Sequence, residues 1–549
     1  MKYLILIMFL IPISTFSQIN FDGNISGNFQ NDFQLYIPDK KLDFNINNPF
    51  SNFPEERLLN NGFTNLIYSS KKFSMGLRYE NYLNPLLGYP SGYQGEGITY
   101  RYFQFHNDEI DITVGNFYEQ FGSGMILRAY EERNLGYDNA FEGVRMKINV
   151  IKGINFKSLI GRQRIFFTKS DGIVRGLDSE FMLNEIFNKL NLSSNLTIGL
   201  SFVSKYEKDN NPKYNLPENV GAWSSRFLFN LKNWNLEAEY VSKYNDPSYV
   251  NNFIFKKGNA ILINTNYSVR GFGINLSAKR IDNMDFRSER NESLQNLLIN
   301  YLPALTKQQT YALATIYPYA TITNGEMGLQ FDMNYKFKKQ SFFGGKYGTG
   351  LNINFSNSYS IDKNKINNAT NIGETGTLGY KSDFLKIGEV KFFQELNIEI
   401  NKKISKKLNI ISTYINTHYN SSEILGYSYQ GMIYANIYIL ETQYKIKPKH
   451  SIRNEIQILK TQEHEGDWLM GLIEYSISPK YFFALQNMYN SGNSIKKINY
   501  PTFSFGINKG KTRFSTTYGK QRAGVFCIGG VCRVVPASNG ILLSINSTF

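Results

Sequence analysis

Residues 19–35 read INFDGNISGNFQNDFQL, and every apolar residue among them, Ile19, Phe21, Ile25, Phe29, Phe33 and Leu35, has an odd number. The even positions are Asn20, Asp22, Asn24, Ser26, Asn28, Gln30, Asp32 and Gln34. Side chains in a β-strand alternate between two faces, so this stretch is a strand with one greasy face and one wet face. The pattern recurs along the chain. Examples are Phe73-Met75-Leu77-Tyr79, Leu196-Ile198-Leu200-Phe202, Phe272-Ile274-Leu276-Ala278, Leu396-Ile398-Ile400 and Leu543-Ile545.

The connections between these runs are unequal. Some are a few polar residues, as at Ser70-Lys71-Lys72, Asn107-Asp108-Glu109, Lys232-Asn233, Ser478-Pro479-Lys480 and Lys509-Gly510-Lys511. Others are long: 36–61, 119–142, 207–221, 245–258, 362–387 and 523–539. Short turns at one end and long loops at the other mark a transmembrane β-barrel, with the turns in the periplasm and the loops outside the cell. The second face carries Arg78, Glu80, Arg101, Arg145, Lys147, Arg226, Glu239, Glu395, Arg453 and Glu455, which would line a lumen. Counting the runs gives 25 strands, and a barrel with both termini on one side needs an even number. The conflict falls between residues 282 and 325. Reading Thr310–Tyr317 as part of one long loop gives about 24 strands, the preferred number, and a missed strand would give 26.

Composition narrows the classes. Aromatic residues make up 15% of the chain, too many for disorder, and the mean hydropathy is -0.35. No stretch supplies the roughly 18 uninterrupted apolar residues of a membrane-spanning helix. The start, MKYLILIMFLIPISTFSQ, has the charged, apolar and small-residue order of a secretory signal peptide. Cleavage is placed after Ser17, leaving residues 18–549 as one barrel. The formal charge of +15 becomes +14 when Lys2 is removed. Export argues against a nucleic-acid partner. Lysines on turns, or attraction to anionic lipid headgroups, account for the excess.

The only cysteines are Cys527 and Cys532, flanking Ile528-Gly529-Gly530-Val531. Gly-Gly suits a two-residue hairpin turn, which would set the cysteines opposite each other in a non-hydrogen-bonded pair, about 4.5 Å apart at Cα. A disulfide is expected there, with a free redox pair or half a metal site as the competing reading.

The segment 114–145 is the leading functional candidate. It leaves its strand through Gly122-Ser123-Gly124 and gathers Glu119, Arg128, Glu131, Glu132, Arg133, Asp138, Glu142 and Arg145. An exposed loop would carry such charges for solubility; a loop folded inward would make a constriction of opposed charges. The run Asp282, Asp285, Arg287, Glu289, Arg290 and Glu292 is its candidate partner. The four histidines, His106, His418, His450 and His464, fit no nucleophile or zinc motif, so neither an enzyme nor a cofactor is expected. Glu463-His464-Glu465-Gly466-Asp467 is read as a solvated loop in preference to a cation site.

Four blocks in order resemble a family of large Gram-negative outer-membrane β-barrels known only as a domain of unknown function. They are VGNFYEQFGSGMILRAYEERNLGYDNAFEGVR (114–145), AKRIDNMDFRSER (278–290), NYLPALTKQQTYALATIYPYA (300–320) and GKQRAGVFCIGGVCRVVPASNG (519–540). The resemblance implies a barrel in the outer membrane, among its lipids and lipopolysaccharide, and no particular substrate. The terminal Phe549 also resembles the signal that such barrels present to their insertion machinery. The expectation is a porin-like passive or gated pore for small polar or anionic solutes. A structural or docking barrel is the alternative, and a barrel-embedded hydrolase ranks behind both.

Overall fold

The computed structural model describes residues 22–44, 52–187, 194–426, 431–493, 496–528 and 531–549. The signal peptide expected over 1–17 lies outside the described residues. Twenty-four strands, from Asn24–Tyr36 to Ser538–Thr548, form one antiparallel sheet. The sheet closes on itself: Phe33 of the first strand lies opposite Leu543 of the last. Closure leaves no edge, so every strand's backbone is paired. The region of the parity conflict resolves as one connection, 283–325, between strands Phe272–Asp282 and Glu326–Phe337.

The chain end completes the seam. Phe549 exchanges backbone hydrogen bonds with Gly27, and its ring lies over that residue. A Cβ on Gly27 would come within 2.5 Å of the ring, so glycine is what makes room for the terminal aromatic.

Loop asymmetry follows the sequence reading with three departures. Connections 183–193 and 338–348 are long although they lie at the short-turn end, and 166–167 is a two-residue turn at the long-loop end. The outer surface is apolar, with Leu177 60% and Leu485 59% exposed to what must be hydrocarbon. At the short-turn end an aromatic belt runs Trp234–Tyr267–Phe272–Tyr335–Phe337, with neighbouring ring centroids 4.7–6.4 Å apart.

Arg101 departs from its expected place in the lumen. The register between strands Phe73–Tyr82 and Gly95–His106 shifts between Arg78 and Tyr79, which inverts the phase of the second strand. Arg101 then lies opposite the lipid-facing Leu77, and its side chain is 62% exposed.

The lumen face is not uniformly polar. Near the long-loop end several strands are apolar on both sides, as in Ala260-Ile261-Leu262-Ile263 and Ile437-Tyr438-Ile439-Leu440. Tyr438 and Leu440 face lipid, while Ile437 and Ile439 point inward and are buried. Strands covered on both faces read as continuous apolar runs. Something must therefore fill the upper lumen.

Candidate functional site

Two of the barrel's own loops fill it. Residues 118–140 leave strand Ile110–Phe117 and form a short ladder, with Phe121 opposite Leu127. The turn between is made at Gly122 (φ 52°) and Gly124 (φ 95°), left-handed conformations that favour glycine. Its tip reaches across the lumen, where the Ser123 amide donates to Glu239 Oε2 at 2.8 Å. Phe121, Met125, Ile126 and Leu127 are fully buried against inward residues such as Val174, Val203 and Val241.

The second loop, 283–325, packs on the first. The Arg128 amide donates to the Ile299 carbonyl (2.8 Å), and the Tyr301 amide to the Gly124 carbonyl (2.9 Å). Asn300 Nδ2 donates to the Met125 carbonyl (3.3 Å), and Asn139 Nδ2 to the Leu298 carbonyl (2.8 Å). The chain then crosses to the far wall. There Leu313, Ile316, Tyr317 and Tyr319 pack among Ile415, Ile433, Leu459 and Trp468. Gln457 Oε1 accepts from the Leu313 amide (2.8 Å), and Glu441 Oε2 from the Tyr311 hydroxyl (3.2 Å).

The charged candidates divide into groups. Arg78, Arg164 and Arg133 meet Glu80, Asp138 and Glu131 in a neutral cluster. Asp138 Oδ2 lies 2.6 Å from Arg164 Nη1 and 3.2 Å from Arg78 Nη1. Glu131 lies 3.1 Å from Arg78 and 2.8 Å from Arg133. Arg78, Glu80, Arg164 and Asp138 are all buried, so each charge depends on its partners for solvation. The Arg133 guanidinium also sits 3.4 Å from the Phe63 ring centroid. Burial raises the Glu131 pKa; Asp138 adds to the shift, and Arg78 and Arg133 oppose it.

Glu119 lies apart from that cluster, 3.0 Å from Lys147, 3.5 Å from Lys157 and 3.8 Å from Arg145. Arg145 also pairs with Asp111 at 3.1 Å. Arg128 stacks between the Tyr130 and Tyr301 rings, 4.3 and 4.2 Å from their centroids, and makes no ion pair among the described residues. Glu132 is half-buried and likewise unpaired among them. Glu142 is a correction. It shares the phase of the lipid-facing Val144 and pairs with Arg101 (3.4 Å) and Lys169 (3.2 Å) on the outer surface, outside any constriction. The strand has already begun at Phe141, and alternation turns its second residue outward.

The 282–292 charges do not meet the first loop as partners. Asp285 and Arg287 pair with each other at 2.8 Å, and Arg290 pairs with Glu207 at 2.9 Å. Asp282 accepts from the Tyr380 hydroxyl at 2.7 Å. Glu289 accepts from the Asp171 amide at 2.8 Å, and Glu292 from Asn296 at 2.8 Å. The two loops are joined by backbone bonds at Ile299 and Tyr301 and by apolar residues such as Met284, Phe286 and Ile299. The signal that the second loop is not solvated was YALATIYPY (311–319), the part that packs on the far wall.

Between the loops and the wall lies a cavity of about 600 Å3. Its lining includes Asn134, Lys307, Gln309, Glu395, Gln521 and Arg533. Arg533 stacks 4.3 Å from the Tyr89 ring centroid, and its Nε and Nη1 are buried without a hydrogen-bond partner. It belongs to a two-stranded ladder, Gly524–Ile528 with Val531–Val535, in which Cys527 lies opposite Cys532. The side chains of those cysteines, and hence the expected disulfide, lie outside the described residues. His450 Nδ1 contacts the Tyr475 hydroxyl at 2.5 Å, and His464 packs 5.8 Å from the Tyr317 ring. Asp467 pairs with Lys460 at 2.6 Å, and Glu463 accepts from the Thr461 hydroxyl at 2.7 Å.

A closed sheet with an apolar outer surface, and a lumen occupied by its own long loops, defines an outer-membrane β-barrel. The chain belongs to DUF6029, a family of unknown function, which matches residues 1–549. No match was found among curated proteins. Among solved structures it is similar to the translocation pore of the P pilus usher PapC, at 8% identity and a TM-score of 0.46, over 96% of this chain and 99% of that one. It is also similar to a mutant ferric enterobactin receptor, PfeA, of Pseudomonas aeruginosa, at 10% identity and a TM-score of 0.42, over 96% and 80% of the two chains. A third is the Pseudomonas aeruginosa outer membrane protein OpdK, at 11% identity and a TM-score of 0.36, over 72% and 94%.

Proposed function

We propose that this barrel is a gated pore for small polar or anionic solutes, closed in the present conformation by residues 118–140 and 283–325. The observation that carries this reading is a pair of arginines, Arg128 at the loop seam and Arg533 in the cavity lining. Neither has a carboxylate partner among the described residues, whereas the carboxylates of the neighbouring cluster are paired. Both are half-buried, and cations partly removed from water without counter-charges favour anions. Arg533 lines the cavity and Arg128 stacks on Tyr301 of the same lining, and residues of the two loops bound it on one side. A structural or docking barrel is the second reading, and the fully buried apolar core beneath the loops supports it, since such packing resists opening.

Conductance in planar bilayers separates the two. The pore reading expects rare, anion-preferring openings of the wild type. It expects a higher open probability when Gly122→Val drives a side chain into Arg226, whose Cδ lies 2.3 Å from a Cβ placed there. Arg128→Gln should lower anion preference more than Arg133→Gln, because Arg133 is already neutralised by Glu131. Silence of the wild type and of Gly122→Val alike would leave the docking barrel.

A further inference from the structure

Outside the lumen, the most unbalanced surface is the rim at the short-turn end. Three successive connections there, with their flanking strand ends, read KKQSFFGGKYG (338–348), KKISKK (402–407) and KIKPK (445–449). They hold three, four and three lysines, ten in all, and no acidic residue. All ten are exposed, and none forms an ion pair among the described residues. The lumen treats lysine differently: Lys205 is 2.9 Å from Asp246, and Lys279 is 2.6 Å from Glu326. The arc spans six strands, so at about 4.8 Å per strand it is roughly 29 Å wide. Ten like charges in that width repel one another unless an external anion neutralises them.

A second observation states what kind of anion. Phe342 and Phe343, in the same arc, are 92% and 64% exposed. They continue the lipid-facing aromatic belt: Phe343 lies 5.5 Å from Phe337, and Phe342 lies 5.0 Å from Phe343, by ring centroids. Two exposed phenyl rings beside a membrane belt require hydrocarbon, and the lysines on either side require negative charge. An acidic soluble protein would satisfy only the lysines. We infer that this arc binds anionic phospholipid of the inner leaflet, with acyl chains against Phe337, Phe342 and Phe343 and headgroup phosphates among the lysines of 338–346 and 402–407. Basic clusters bind acidic lipid surfaces by the same physics, and salt screens them.

The test uses the full chain reconstituted in vesicles of phosphatidylethanolamine and phosphatidylglycerol. Spin-labelled phosphatidylglycerol and phosphatidylcholine report the lipid immobilised on the barrel. Severalfold preference for phosphatidylglycerol is expected, reduced in high salt. The combined change Lys402→Gln, Lys403→Gln, Lys406→Gln and Lys407→Gln should cut the preference by more than half. Phe342→Ser with Phe343→Ser should lower the immobilised fraction of both lipids. Should the lysine variant fail to fold, Lys338→Gln with Lys339→Gln gives the same readout with a smaller loss. Equal immobilisation of both lipids by the wild type, or an unchanged preference in the folded lysine variants, overturns the inference. The latter result would assign the arc to a soluble acidic partner.

Discussion

Residues 118–140 and residues 309–319 lie in the same lumen, yet different chemistry holds them there. The first segment adds, to an apolar tip from Phe121 to Leu127, a fastening of three arginines and three carboxylates centred on Asp138 between Arg78 and Arg164. The second is fastened to the far wall by apolar packing around Leu313 and by neutral donors to Gln457 and Glu441. Ion pairs buried together fail together, because each lost partner strands a charge in low dielectric. Apolar contacts fail one at a time, each in proportion to the surface uncovered. The contrast makes the first segment a latch with a threshold and the second a graded contact.

The largest expected effect tests the latch. Arg164→Ala leaves Glu80 and Asp138 short of a partner and should destabilise the barrel by about 3–5 kcal/mol, read as a lowered urea midpoint. Restoring balance with Asp138→Asn in the same chain should recover part of that loss. If the double variant is as unstable as the single, the latch is not electrostatic. The graded side is expected to respond less. Leu313→Ala opens a cavity against Ile415 and Leu459 and should cost about 2–4 kcal/mol without altering the pH dependence.

A smaller effect concerns Glu131. Its raised folded pKa means that the native state holds this proton more tightly than the unfolded chain does, for which 4.5 is the ordinary value. Its contribution to stability is therefore complete below pH 4.5 and is lost as pH rises through the higher folded value. Glu131→Gln should flatten that part of the stability profile, with a change smaller than the one expected of Leu313→Ala. An unchanged slope would place the titration elsewhere. The smallest effect lies outside the lumen contrast. A Cys527–Cys532 disulfide closes a very short loop, so Cys527→Ser should move the unfolding midpoint little. The unreduced wild type should resist thiol labelling until reductant is added; immediate labelling of both cysteines would remove the disulfide.

Much of the barrel was legible in one dimension. Alternation in segments such as 19–35 and 272–278 fixes which face meets lipid, because strand side chains alternate regardless of context. In the 282–325 ambiguity parity excluded 25 strands but left 24 and 26, and the single connection 283–325 of the structure decided for 24. What escaped the pattern was local. A bulge near Arg78 inverts the phase at Arg101, and one residue of strand turns Glu142 outward. Short runs such as Ile437-Tyr438-Ile439-Leu440 carry a further signal, apolar on both faces, that alternation alone passes over.

The chain's own order of residues determined a closed sheet with an even number of strands, its greasy exterior and the loops that carry charge, because these follow from period-two geometry and from the need to pair every backbone group in lipid. Only the tertiary structure decided that the loops turn inward, that Arg78 and Glu80 of one strand and Arg164 of another meet Asp138, and that Arg128 stands without an ion-pair partner among the described residues. Those outcomes depend on contacts between residues tens to hundreds of positions apart, and no local period encodes which distant side chains will share a buried space.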